Sequence, residues 1–182
     1  MKTILRISIL LFIYSGYGCS DEPKEGYSMQ LSSSSFNHYT LMPKRYAGNG
    51  ENLSPPLSWT GIPFETKSLV LIVDDPDAPD PTAPKMVWVH WILYNIPPSV
   101  TELKEGIHSE NLPAGTLEGI TDFRRTGYDG PCPPIGKHRY VHKLYALDII
   151  LPDLKKPTKA VLEKAMQGHI LEKTELIGLY QK

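Results

Sequence analysis

A mainly β domain with one or two helices at its edge is the fold class this sequence predicts, and three observations predict it. The chain carries 17 prolines in 182 residues, about twice the usual ~5%. Proline blocks helix interiors and central-strand ladders, so this excess excludes a helical bundle or coiled coil and favours short strands between defined loops. Runs at 68–73, 86–94 and 138–150 are dense in β-branched and aromatic residues. Only one segment, beginning at Pro157, repeats apolar residues at helical spacing. The length allows one ordinary domain or at most two small ones, and 41% hydrophobic residues suits a packed core rather than a disordered chain.

The first element reads as an address. Lys2 and Arg6 precede an apolar stretch at 7–14, and small residues Ser15, Gly16 and Gly18 follow, so residues 1–18 are expected to be a cleaved export signal. The apolar stretch is shorter than the ~20 residues that span a bilayer. Cys19 follows directly, ahead of a polar tether at 19–26, which resembles a bacterial lipoprotein signal except that Gly16 stands where that pattern usually has Leu. The expectation is lipidation at Cys19, placing the protein in the bacterial envelope, anchored to a membrane and facing the periplasm. The alternative is simple secretion, with Cys19 incidental or paired with Cys132. Two cysteines build no disulfide framework in either case. Without Lys2 and Arg6 the balance is 17 basic against 20 acidic side chains, or −3 compared with −1 for the whole chain. No nucleic-acid partner is expected, because such domains carry a basic excess.

From 27 to 182 there is no repeat or composition break, so one domain is expected. Ser32 to Ser35 reads as a loop, and 49–56 as turns leading into Leu57-Ser58-Trp59. Ser68 to Val73 is an apolar strand closed by Asp74-Asp75-Pro76. Met86 to Tyr94 is apolar at every alternation, which predicts a central strand covered on both sides. Asn95-Ile96-Pro97-Pro98 ends it. In 138–150, His138, Tyr140, His142 and Leu144 fall on one face and Val141, Tyr145, Leu147 and Ile149 on the other. Thr158 is the expected N-cap of the helix, Val161, Leu162, Ala165 and Met166 its apolar positions, and Gly168 its stop. Ile170 to Tyr180 returns as a strand.

No nucleophile elbow, phosphate loop, dinucleotide fingerprint, zinc-protease motif or CxxC pair occurs. Polar residues do stand in apolar or proline-rich settings: Asp74, Asp75 and Asp77 at a strand end, His90 between Trp88 and Trp91, and a stiff loop Gly127-Tyr-Asp-Gly-Pro-Cys-Pro-Pro134 ahead of His138-Arg139-Tyr140. Each has a plain structural reading. His90 can be a satisfied core histidine, Asp75 a turn cap before proline, Tyr140 packing, and Cys132 a small thiol.

Together, SPPLSW (54–59), DDPDAP (74–79), VHW (89–91), GYDGPCPP (127–134), HRY (138–140) and KAMQGHIL (164–171) resemble the phosphatidylethanolamine-binding protein family, and most of all its bacterial Raf-kinase-inhibitor-like branch. The motifs run in order through essentially the whole mature chain. The resemblance implies a large antiparallel Greek-key β core with a few peripheral helices. It also implies a small preformed cavity for an anionic group such as a phospholipid headgroup phosphate. Carried over motif by motif, the cavity residues are Asp75, Asp77, His90, Pro131, Cys132, Pro133, His138 and Tyr140. Phe123-Arg124-Arg125 departs from the family pattern by being larger and more basic, which bears on which ligands reach the cavity.

The physical reading fits. Histidine N–H groups and a tyrosine hydroxyl donate to phosphate oxygens, and a carboxylate fixes which ring nitrogen keeps its proton. Asp75 and Asp77 would orient His90 or meet a cationic amine, while the prolines preorganise the rim. The expectation is thus a non-catalytic binding protein with no cofactor and no metal, whose partner is an anionic small molecule or headgroup. One alternative is a protein-interaction module that inhibits a protease or modulates a partner through the cavity rim. Another is catalysis by a Cys132–His138 pair, or by a metal on His90, His138 and Asp75. An animal signalling kinase is not a plausible target for an exported bacterial protein, so the inhibitor label is read as inherited by name.

Overall fold

The structure, a computed structural model, describes residues 28–182. The expected signal at 1–18, all of the tether at 19–26 and its lipidation site Cys19 lie outside them. The described residues contain nine strands: β1 (Gln30–Ser32), β2 (Thr40–Leu41), β3 (Leu57–Thr60), β4 (Ser68–Asp75), β5 (Trp88–Ile96), β6 (Glu102–Leu103), β7 (Leu117–Glu118), β8 (Lys137–Leu147) and β9 (Ile170–Gln181). They form a six-stranded sheet in the order β2-β9-β8-β4-β5-β7 and a three-stranded sheet in the order β1-β3-β6. One α-helix, α1 (Lys159–Met166), lies among them. No described helix is long and apolar enough to cross a membrane.

β8 returns past β7 and β5 to lie beside β4, so the order β8-β4-β5-β7 is that of a Greek key. The expected antiparallel pattern holds with one exception: β2 runs parallel to β9, with Thr40 opposite Gly178. That edge strand is two residues long, too short for any periodicity to announce it.

All eight residues of β4 are buried, and their alternation explains why the run has no polar face. Leu69, Leu71 and Val73 enter a core with Trp59 and Leu103 of the small sheet and Leu144 of β8. Val70 and Ile72 enter a second core that packs under Leu162 and Met166 of α1. Each such side chain contributes about 1.5–3 kcal/mol of burial. Thr158 caps α1 as the spacing predicts, its Oγ1 accepting from Val161 N. Val161 itself stands half exposed, however: Leu162 and Met166 are buried and Ala165 packs partly against the same core, while Val161 faces outward.

β5 is irregular in two places, and one of them builds the site. Val73 pairs with Trp91 and the next residue, Asp74, pairs with Val89, so His90 is left over as a bulge. A bulge of this kind re-aims a side chain and is frequent beside functional sites. The second skip lies between Leu71/Leu93 and Leu69/Ile96 and includes Asn95, whose φ is +58. Its side-chain amide donates to Leu151 O and accepts from Leu151 N.

At the end of β4, Asp74 and Asp75 have separate partners. The buried Asp74 takes Lys143 of β8 and Lys159 of α1 on one carboxylate oxygen, while Asp75 reaches His138.

Candidate functional site

A cavity of about 350 Å³ opens at the C-terminal end of β4. Its walls come from the 75–79 turn, the start of β5, the 132–134 stretch and the start of β8. Asp75, His90, Cys132, Pro133, His138 and Tyr140 all line it, so six of the eight residues singled out in the sequence meet in one place. Asp77 and Pro131 do not line it.

Asp77 is absorbed by Arg139, whose Nε and Nη2 donate to its two carboxylate oxygens at 2.9 and 2.6 Å, with Arg139 N donating as well. Those bonds hold the Asp77 carboxyl below its ordinary range. It fastens the turn to β8. Pro131 is buried and spends its carbonyl on Gly48 N at 2.8 Å.

His90 is held by the glycine-rich loop. Its Nδ1 donates to Asp129 O at 2.5 Å, which fixes the tautomer because a carbonyl only accepts. Asp129 N returns a hydrogen bond to His90 O at 3.1 Å. Nε2 is the ring's uncommitted polar atom among the described residues. Burial pushes the imidazole below its ordinary pKa, against the opposing pull of the Asp129 carbonyl and the nearby Asp75 carboxylate. The ring therefore offers the cavity a lone pair at neutral pH. The orienting partner differs from the sequence expectation: a loop carbonyl sets His90, not an Asp75 or Asp77 carboxylate.

His138 is committed on both sides. Its Nδ1 meets Asp75 Oδ2 at 2.7 Å and its Nε2 donates to Ile135 O at 2.9 Å. Since Nε2 carries a proton, the 2.7 Å contact requires a second one, on Nδ1 or on Asp75. Asp75 Oδ1 accepts Asp77 N at 2.8 Å, closing the turn. His138 was expected to donate to a ligand, but here its N–H groups serve the rim. Tyr140 is buried against His90, edge to face at 5.1 Å between ring centroids. Burial and the Asp75 charge raise its hydroxyl well above the usual phenol range, so it remains a donor.

Stiffness comes from the loop's attachments. Gly130 N donates to Asn52 Oδ1 at 2.7 Å, and the Tyr128 hydroxyl donates to Tyr46 O at 2.9 Å. A Cβ on Gly130 would overlap the Tyr46 carbonyl and Gly48 N, so only glycine lets the two turns touch. Arg125 fastens Asp129 from outside, its Nε donating to Asp129 Oδ2 at 2.9 Å. Of the basic pair flanking the loop, Arg125 is thereby spent on structure. The Ala78–Pro79 peptide is cis.

Most of the apolar wall was missed in the sequence: Met86, Trp88, Phe123, Ala78 and Pro79 line the cavity. Pro134, at the end of the loop that the resemblance assigns to the cavity, completes the lining. Phe123 packs edge-on to both Trp88 and His90, at 5.5 and 5.4 Å. The signal for Trp88 was available, since it lies two residues before His90 on the same strand face. Phe123 has no periodicity to announce it, and the sequence marked it only through the departure at Phe123-Arg124-Arg125. Among the described residues no group of three or more His, Cys, Asp or Glu is placed to hold a metal ion.

A match to the family model described as phosphatidylethanolamine-binding protein covers residues 32–181. The chain belongs to the phosphatidylethanolamine-binding protein family. A family protein of Methanothermobacter thermautotrophicus, described only as UPF0098 protein, is 48% identical over 155 residues, or 85% of this chain and 99% of that one. A solved structure described as a phosphatidylethanolamine-binding protein homolog from Chlamydia trachomatis has 44% identity and a TM-score of 0.78, covering 86% of this chain and 99% of that one. YbcL of Escherichia coli, described as a new member of the mammalian family, has 28% identity and a TM-score of 0.77, with 85% and 99% covered. The mainly β two-sheet architecture is the fold of these family members.

Proposed function

We propose that this chain is an exported, non-catalytic binding protein, tethered through a lipid on Cys19, whose cavity receives an anionic phosphate-bearing group such as a phospholipid headgroup. The observation that carries the reading is the convergence of His90 Nε2 and the Tyr140 hydroxyl in one cavity with apolar walls, braced by groups already satisfied within the protein. A cavity of that composition suits a ligand with a polar head and an apolar neighbour. The paired and positioned groups give no nucleophile with an adjacent base. His138, the candidate base for Cys132, has both ring nitrogens engaged.

Family membership supports a binding role, because the family's descriptions name a bound lipid. An isotope-labelled chain beginning at Ser20, titrated with phosphate, phosphoethanolamine and a short-chain phospholipid, tests the site. His90 ring signals shift if the proposal holds. Unmoved signals at millimolar ligand reject it.

A further inference from the structure

Four exposed apolar side chains gather at the end of the domain away from the cavity. The cavity lies where Asp75 pairs with Trp88 and where His138 stands near the start of β8. The far end is where Ser68 pairs with Leu147, and Leu147 with Ile170. The run of β8 from His138 to Leu147 puts the two ends about 30 Å apart. Phe64 tops the turn before β4 and is 99% exposed. Thr66 N donating to Pro63 O and Lys67 N donating to Leu147 O hold that turn at the far end. Ile150, 67% exposed, follows Ile149, whose carbonyl accepts from Ser68 Oγ at 2.6 Å. Ile170 and Leu171, 46% and 40% exposed, close the KAMQGHIL motif, none of which lines the cavity. Leu171 is left over as a bulge, since Ala146 pairs with Glu172 and Leu147 with Ile170.

The described chain begins at this same end. Glu172 Oε1 accepts from Ser28 Oγ at 3.2 Å and from Met29 N at 2.6 Å. Ser28 O also lies so close to Gly61 that a Cβ there would overlap it. The tether therefore joins the domain between Gly61 and Glu172, beside Phe64 and Leu171. From Cys19 to Ser28 it spans at most about 30 Å, no more than the distance between the two ends of the sheet. Turning the cavity mouth to the membrane that holds Cys19 would take the whole tether drawn out along the domain. The apolar end reaches that membrane without such extension.

We infer that Phe64, Ile150, Ile170 and Leu171 rest on the bilayer that holds the Cys19 lipid, and that the cavity opens away from it. A lone exposed hydrophobic residue means little, whereas four beside one chain exit suit the headgroup boundary. Tethering makes the contact intramolecular, so tips too weak to hold a free domain suffice. Glu65 and Lys67, both exposed beside Phe64, balance in charge, so the contact does not depend on anionic lipid. The inference rests on the lipid-anchor reading and adds a direction to the cavity: its phosphate-bearing ligand arrives from the side facing away from the anchoring membrane.

The test uses the full chain, isotope-labelled and purified from bacterial membranes, with mass spectrometry reading the acyl group on Cys19. The acylated protein is placed in phosphatidylcholine nanodiscs whose acyl chains carry a nitroxide. Amide signals of Phe64, Ile150, Ile170 and Leu171 should broaden, while those of Phe123 and Ile135 at the cavity mouth stay sharp. Adding phosphatidylglycerol should leave the pattern unchanged. Phe64→Asp/Ile150→Asp, which alters no cavity-lining residue, should restore the signals of Ile170 and Leu171, and Phe64→Asp alone should restore them in part. Acylated protein whose far-end signals stay sharp, or whose mouth signals broaden as strongly, overturns the inference and leaves the anchor standing. Broadening that survives the double variant, or that needs phosphatidylglycerol, overturns it too. A native mass without lipid on Cys19 overturns the anchor reading and the inference with it.

Discussion

His90 and Asp129 hold each other through two hydrogen bonds, ring Nδ1 to carbonyl at 2.5 Å and amide N–H to carbonyl at 3.1 Å. The bulge residue of a central strand and the tip of a distant loop thus act as one unit. The ring's remaining nitrogen is left without a proton as long as burial keeps the imidazole neutral.

Ligand binding should therefore take up a proton. An anion beside Nε2 raises the His90 pKa in the complex, so the complex holds more protons than the free protein. Affinity for glycerophosphoethanolamine, a phosphodiester that does not itself titrate near neutrality, should rise as pH falls from 8 towards 6, by up to about tenfold per unit. Calorimetry in buffers of different ionisation enthalpy reads the proton directly. A flat affinity across that range contradicts the mechanism, and His90→Phe should abolish the dependence.

His142 predicts a separate effect on folding. It is buried with Nε2 unpartnered, and burial lowers its pKa to about 4. Above the unfolded value of ~6.5 both states are neutral and stability is unaffected. Between there and about 4, the unfolded chain binds a proton that the native fold does not, so stability falls with pH. The loss approaches about 3 kcal/mol. Urea melts at pH 7 and pH 4.5 should show it, and His142→Phe should reduce the difference.

Asp74 is the electrostatic pin between the sheet and α1. Asp74→Asn would leave Lys143 and Lys159 sharing a neutral amide in a mostly buried place, and should cost about 3–5 kcal/mol. A lowered denaturation midpoint checks this, with α1 losing hydrogen-exchange protection first.

Gly130→Ala should destabilise by about 1–3 kcal/mol, because the added methyl meets the backbone of the 46–48 turn. The same variant should weaken ligand binding, since the loop that sets His90 must move. Binding unchanged in a folded Gly130→Ala protein would show that the loop contact is not what positions the ring.

The long strands were readable because their composition leaves no alternative: β4, β5 and β8 are apolar across both faces or alternate cleanly. The small sheet was not readable in the same way. β1 has three residues and β6 two, and their pairing is dictated by the tertiary position of β3. Within the site, the motif residues came together, but their roles required coordinates. A bulge at His90 shows only as a skipped register. Asp77 looked like a second cavity acid until Arg139, itself part of the HRY motif, claimed it. Phe123 is a surface loop residue by every local rule, and Met86, expected to open a covered central strand, instead stands exposed ahead of β5, which begins at Trp88; only the closed tertiary structure makes them a mouth.

Asp75 and His138 are 63 positions apart in the chain, and the cavity is assembled only where β4 meets β8. Contacts of that separation form late and slowly in folding, after the loop-closure entropy has been overcome. The cavity therefore exists only in the folded chain, so a ligand that fills it binds the native state and not the unfolded one. Any compound that fills the cavity should raise the melting temperature in proportion to the logarithm of its concentration, which makes simple thermal screening a direct route to the natural occupant.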